Sequence, residues 1–182
     1  MPESMPNIDE LLSKAGTRTL NSALFNIAHA YSRAGDMASS AIFQTRDVDF
    51  AAPAIMCKSF AIELLLKFFL VIPYPTAQTK ADIDAVGVDL HGHKYSEIYD
   101  RIQPSYQKKI ADSFSIIANS LTDTNTFRTQ LQNLGDDPFV FWRYIYEKNN
   151  ISTLDIPLLE NVLLAMGKAA EVERKRIVAS AP

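Results

Sequence analysis

The stretch Ala54–Ile72, AIMCKSFAIELLLKFFLVI, decides the fold. It is long enough for a helix and apolar almost all the way round, and a helix apolar on every side is a buried helix. Pro53 just ahead of it suits a first helical turn, where the missing N–H costs nothing, and Pro73-Tyr74-Pro75 ends it. Yet it carries Glu63 and Lys67, one turn apart. Leaving an ion unpaired in the interior costs several kcal/mol, so both residues need partners.

A second segment has a matching signature. Phe139–Lys148, FVFWRYIYEK, is rich in aromatics and carries Arg143 and Glu147, again four apart. Glu with Lys or Arg at this spacing is also a common surface stabiliser worth a few tenths of a kcal/mol. Here the flanking residues, Ile62, Leu64, Leu65 and Leu66 on one side and Phe141, Trp142 and Tyr144 on the other, leave little polar face. A charge network between two helices is therefore expected. It serves either as a purely structural tie or as a functional site.

Helical spacing continues outward from these two segments. Leu20, Leu24, Ile27, Ala28 and Tyr31 mark a helix over residues 20–34, with Gly35-Asp36 read as a break or kink. Thr76–Leu90 reads as the longest loop. Short helices are expected at Lys94–Ile102, Ser105–Leu121 and Thr122–Leu134, the last after an Asp123 or Thr124 cap. A long one is expected at Ile156–Val178, with Glu171–Arg176 as a charged, solvated tail. Strand alternation and hairpin dipeptides are nearly absent. The fold class is all-α: one bundle of about five to seven helices over residues 18–178. Residues 1–17 form a leader with a short helix at Ile8–Ala15, and residues 179–182 a tail.

The chain has 182 residues, 47% hydrophobic and 21% charged, which suits one ordinary globular domain. A net charge of −3 argues against a strongly basic nucleic-acid binder, while leaving room for a local basic groove. One cysteine, Cys57, rules out an internal disulfide and points to a reducing, cytoplasmic setting. The polar, acidic start MPESMPNIDELLSK is unlike a signal peptide. Ala54–Ile72 is a poor membrane span, because Lys58, Glu63 and Lys67 would each cost roughly 2.5–3.5 kcal/mol at the bilayer centre. No phosphate-binding glycine loop, HExxH, CxxC or GxSxG pattern occurs. No cofactor or metal is expected, and His91-Gly92-His93 alone is a weak metal pair. His29, mid-helix, reads as a packed or exposed polar residue. His93, at a loop-to-helix junction, either orients the loop or aims into a cleft.

Three blocks, SFAIELLLKFFL (59–70), GHKYSEIYDRI (92–102) and FWRYIYE (141–147), come in an order and spacing that resembles the HEPN superfamily (higher eukaryotes and prokaryotes nucleotide-binding). The resemblance implies an all-α domain that forms homodimers, often in toxin–antitoxin or phage-defence systems, where many members are metal-independent ribonucleases. Their hallmark is an Arg and a His separated by four to six intervening residues. Arg143 stands at the Arg position, but Lys148, Asn149 and Asn150 stand where the His would fall. None of these is an efficient proton shuttle near neutral pH.

The expectation is therefore a non-catalytic module that binds RNA, a nucleotide or a cognate partner protein, with Lys67, Tyr144, Lys148 and Asn149 as binding residues. The alternatives are a ribonuclease with a non-standard site built from Arg143, Glu147, Glu63 and His93, and a purely structural dimer. The aromatics from Phe139 to Tyr146 suit base stacking, and equally a core or dimer interface.

Overall fold

The computed structural model describes residues 19–135, 138–145 and 154–180. They fold as α-helices connected by short links, with no strand among the described residues. In chain order these are α1 (Leu20–Thr45), α2 (Ala51–Val71), α3 (Lys80–Ala85), α4 (Tyr95–Asp100), α5 (Pro104–Ile117), α6 (Thr124–Asn133), α7 (Pro138–Arg143) and α8 (Ile156–Ser180). A single 3-10 turn, Val48–Phe50, joins α1 to α2.

The apolar stretch forms α2 and occupies the centre of the bundle. Ile62, Leu66, Phe69 and Val71 are wholly removed from solvent. The helix is walled in by α1, α7, α8 and α4. Burying each large apolar side chain contributes about 1.5–3 kcal/mol, and α2 supplies many of those in the core. Phe127 and Leu131 of α6, Ile110 of α5, and Leu159, Val162 and Met166 of α8 complete the same core. Among the described residues no helix is long and apolar enough to cross a membrane.

Local chemistry sets the helix ends. Pro53 lies in the first turn of α2, and Pro104 opens α5. The Asp123 carboxylate caps α6 by accepting from the Thr126 amide at 2.7 Å, and Asp155 accepts from the Leu158 amide at the start of α8. Each such cap satisfies a donor that the helix cannot. Arg46, with φ 59°, ends α1 in the left-handed conformation.

Two sequence expectations change. Gly35-Asp36 does not break the first helix, and α1 runs unbroken to Thr45. Gly35 is there for packing. A Cβ on it would lie 2.6 Å from Lys58 Cγ and 3.1 Å from the Ala54 carbonyl oxygen, so only glycine lets α1 cross α2 so closely. The expected loop Thr76–Leu90 contains α3, nucleated by a capping box. The Thr79 hydroxyl accepts from the Asp82 amide, while the Asp82 carboxylate accepts from the Thr79 amide. The leader with its helix at Ile8–Ala15, and residues 146–148 of the aromatic segment, lie outside the described residues.

Candidate functional site

Glu63 sits in the middle of α2 with its carboxylate 2% exposed. Both oxygens are engaged. Lys67 Nζ, one turn on, donates to Oε1 at 2.7 Å. His93 Nδ1 donates to Oε2 at 3.0 Å from a loop thirty residues away. Lys67 is 16% exposed and His93 52% exposed. The cluster thus grades from a buried anion to a solvent-facing imidazole. Carboxylates in the interior need this kind of complete satisfaction.

The loop that delivers His93 is itself fastened. Arg101 Nη1 donates to the Asp89 carbonyl at 2.9 Å and to the Asp89 carboxylate at 3.0 Å. Its Nη2 donates to the His91 carbonyl at 2.8 Å. The His91 amide donates to Asp89 and holds that carboxyl below its ordinary value. Gly92, with φ 96°, makes the left-handed turn that aims His93 back at α2. His93 then leads directly into α4, whose Tyr95 hydroxyl bonds to the Ser59 carbonyl of α2.

A carboxylate on Nδ1 fixes the imidazole tautomer and ring orientation, leaving Nε2 as the working atom. Nε2 has no partner among the described residues. Such an atom can accept or donate a proton, or hydrogen-bond an anionic ligand. Lys67 shares the Glu63 carboxylate with His93, and Lys94 follows His93 in the chain, 3.4 Å from Glu97.

Arg143 lies apart from this cluster. It ends α7, is exposed, and lies with its guanidinium 5.3 Å from the Tyr144 ring centroid. Among the described residues it joins no ion pair with Glu63. The partner that Glu63 required is His93. Glu147, Lys148 and Asn149 lie outside the described residues. The aromatic segment contributes to the core: Phe139 stacks on Phe60 of α2 at 4.5 Å, and Trp142 packs against the main cluster. Tyr144 remains on the surface.

Two further buried ions are less legible in the sequence. Lys58 on α2 is 6% exposed and is held by Asp36 of α1 at 2.9 Å and by Glu160 of α8. Burial draws the Lys58 ammonium down, but its bonds to Glu160 and Asp36 outweigh this and hold it above the ordinary lysine value. Glu173, expected in a solvated tail, is 2% exposed and paired with Lys109 of α5 and with Arg176 at 2.9 Å. The signal was present: Glu173 continues the 159, 162, 166, 169 face of α8. His29 is half-buried against Phe25 and α8, and burial lowers its pKa. Among the described residues no group of three or more His, Cys, Asp or Glu side chains is placed to hold a metal ion.

No protein-family model, curated protein or solved structure matches this chain, so its all-helical architecture stands without a family assignment, and the HEPN likeness rests on the three sequence blocks alone.

Proposed function

We propose that the chain is a HEPN-like helical domain that binds RNA, acting as a homodimer in a toxin–antitoxin or phage-defence setting. The observation that carries this reading is the His93–Glu63 bond, which ties a half-exposed imidazole to a buried carboxylate in the middle of α2. His93, with Lys67 beside it and Arg143 exposed on α7, supplies donors suited to phosphate oxygens. Binding of this kind weakens with salt as counterions are released. Apolar side chains left exposed on α1 and the turn after it, Met37, Phe43 and Val48, are suited to a second copy.

One observation favours a second reading, a metal-independent ribonuclease. Nε2 of His93 has no partner among the described residues, and the carboxylate behind Nδ1 stabilises the imidazolium that forms if Nε2 takes up a proton from a ribose 2′-hydroxyl. His93 would then do the work of the histidine absent at 148–150.

One experiment separates the readings. A labelled single-stranded oligoribonucleotide is followed by fluorescence anisotropy and on a denaturing gel, with wild type, His93→Ala and Arg143→Ala. Salt-sensitive binding that both variants weaken, with the oligonucleotide intact, supports the binding module. Cleavage lost in His93→Ala supports the nuclease. No binding and no cleavage by wild type removes both.

A further inference from the structure

The start of α1 has electrostatic needs that the described residues leave unmet. Thr19 at the N-cap makes no side-chain cap, and the first turn holds no acidic residue. The Thr19 hydroxyl is spent on Asn21 Oδ1 at 2.7 Å. The Leu20 amide donates to the Ala77 carbonyl at 2.8 Å, and beyond it this 26-residue helix presents its positive end without a neutralising side chain among the described residues. Asn21 is only 6% exposed, and its Nδ2 is a buried donor with no acceptor among the described residues. A donor in that state is costly and calls for a specific reason.

Asn21 and Ser22 line a cavity of about 650 Å³, and the opposite wall, from α8, brings Arg174 and Arg176. Arg174 is half-buried, stacks its guanidinium 4.5 Å from the Phe25 ring centroid and joins no ion pair among the described residues. Its neighbour Glu171 is taken by Lys175. No carboxylate is among the described residues lining the cavity, and the rest of the wall includes Phe68, Ile72, Pro73 and Ile177. Unanswered donors and an unpaired cation thus meet beside an apolar surface.

We infer that this cavity binds a small organic anion, with an oxyanion head (phosphate or carboxylate) on an apolar body. Asn21 Nδ2 and the Asn21 and Ser22 backbone amides of α1 hold the head, the Arg174 guanidinium neutralises it, and Phe68 and Ile72 cover the body. A helix N-terminus with an arginine is well suited to an oxyanion. The cavity shares no residue with the Glu63 cluster, so this site stands or falls independently of RNA binding.

The test is a titration of the full chain with phenyl phosphate and with benzoate, read by amide and side-chain ¹H–¹⁵N NMR. Phenol and inorganic phosphate supply the body and the head alone. The expected result is a saturable shift of the Asn21 side-chain amide and of the Asn21 and Ser22 backbone amides by at least one of the two organic anions. Phenol should give no such shift, and inorganic phosphate a weaker one. Arg174→Gln should weaken binding about tenfold or more. Asn21→Leu should lose binding while raising the melting temperature of the unliganded protein, because it removes an unsatisfied donor. Circular dichroism reports folding of both variants, and Arg174→Gln, on the rim of α8, carries the test should Asn21→Leu not fold. No saturable shift at millimolar phenyl phosphate or benzoate overturns the site, as does undiminished affinity in Arg174→Gln. Inorganic phosphate binding as tightly as phenyl phosphate overturns the apolar half.

Discussion

Replacing Glu63 by Gln keeps the shape of the side chain and removes its charge. The structure sets the magnitude. Glu63 accepts two hydrogen bonds, from Lys67 and His93, with its carboxylate 2% exposed. Bonds to a charged group contribute about 1.5–3 kcal/mol and neutral ones about 1 kcal/mol, so losing the charge costs roughly 1 kcal/mol at each bond. Gln also offers only one carbonyl oxygen. If Lys67 keeps it, the new amide group faces His93 Nδ1 and must donate to it, forcing the other imidazole tautomer.

Lys67 is left with less compensation, but at 16% exposure some of its charge is solvated, so the full 3–5 kcal/mol of a broken buried pair is not reached. The expected loss is about 2–3 kcal/mol. For a chain of this size that is a fall in melting temperature of roughly 5–10 °C. Urea denaturation with an unchanged slope measures it. The double replacement Glu63→Leu with Lys67→Met should recover most of the loss, because an apolar pair of similar volume has no desolvation to offset. A single-variant loss under about 0.5 kcal/mol would refute the buried network, since a surface pair is worth no more than that.

Gly35→Ala gains about 1 kcal/mol of helix propensity but forces a methyl 2.6 Å from Lys58 Cγ. Overpacking costs of about 1–3 kcal/mol outweigh the gain, so denaturation should show a net loss, and a net gain would contradict the close crossing of α1 over α2. Burial pushes the Glu173 carboxyl up, but its bonds from Lys109 and Arg176 outweigh this and hold it below its ordinary value of 4.5. A carboxyl with a depressed folded pKa contributes stability that is present above pH 4.5 and lost as pH falls through the folded value. Thermal melts from pH 6 downward should therefore fall less steeply for Glu173→Gln than for wild type, and parallel profiles would count against the pair. Lys58→Met should change neutral-pH stability by less than about 1 kcal/mol, because Asp36 and Glu160, 62% and 44% exposed, can rehydrate. A loss of several kcal/mol in the same denaturation assay would mean that the buried ammonium organises the bundle.

The central helix is legible because its two signals are local: an apolar run and prolines at both ends. The need of Glu63 for partners follows from the same run. Which residue answers it does not, because His93 is thirty positions away and reaches back only through the turn at Gly92 and the anchor at Arg101. Arg143 looked like the natural partner on charge alone, and charge carries no information about direction. Gly35 is ambiguous in sequence for a related reason. A glycine that breaks a helix and one that admits a neighbouring helix are alike in sequence, and only the Lys58 side chain lying over it tells them apart. Two further features are legible in the sequence: the Thr79–Asp82 capping box that makes α3, and the periodicity that turns Glu173 inward.

The most direct test of the His93 site is a ¹H–¹⁵N spectrum of its imidazole, recorded with and without a single-stranded oligoribonucleotide. In the free protein, near neutral pH, the proton should sit on Nδ1, held by Glu63, and Glu63→Gln should move it to Nε2. Adding RNA should shift the Nε2 resonance while leaving the Nδ1–Glu63 bond in place. An imidazole that averages between tautomers in the free protein, or an Nε2 signal that RNA leaves unchanged, would contradict the proposal that Glu63 presents His93 to RNA.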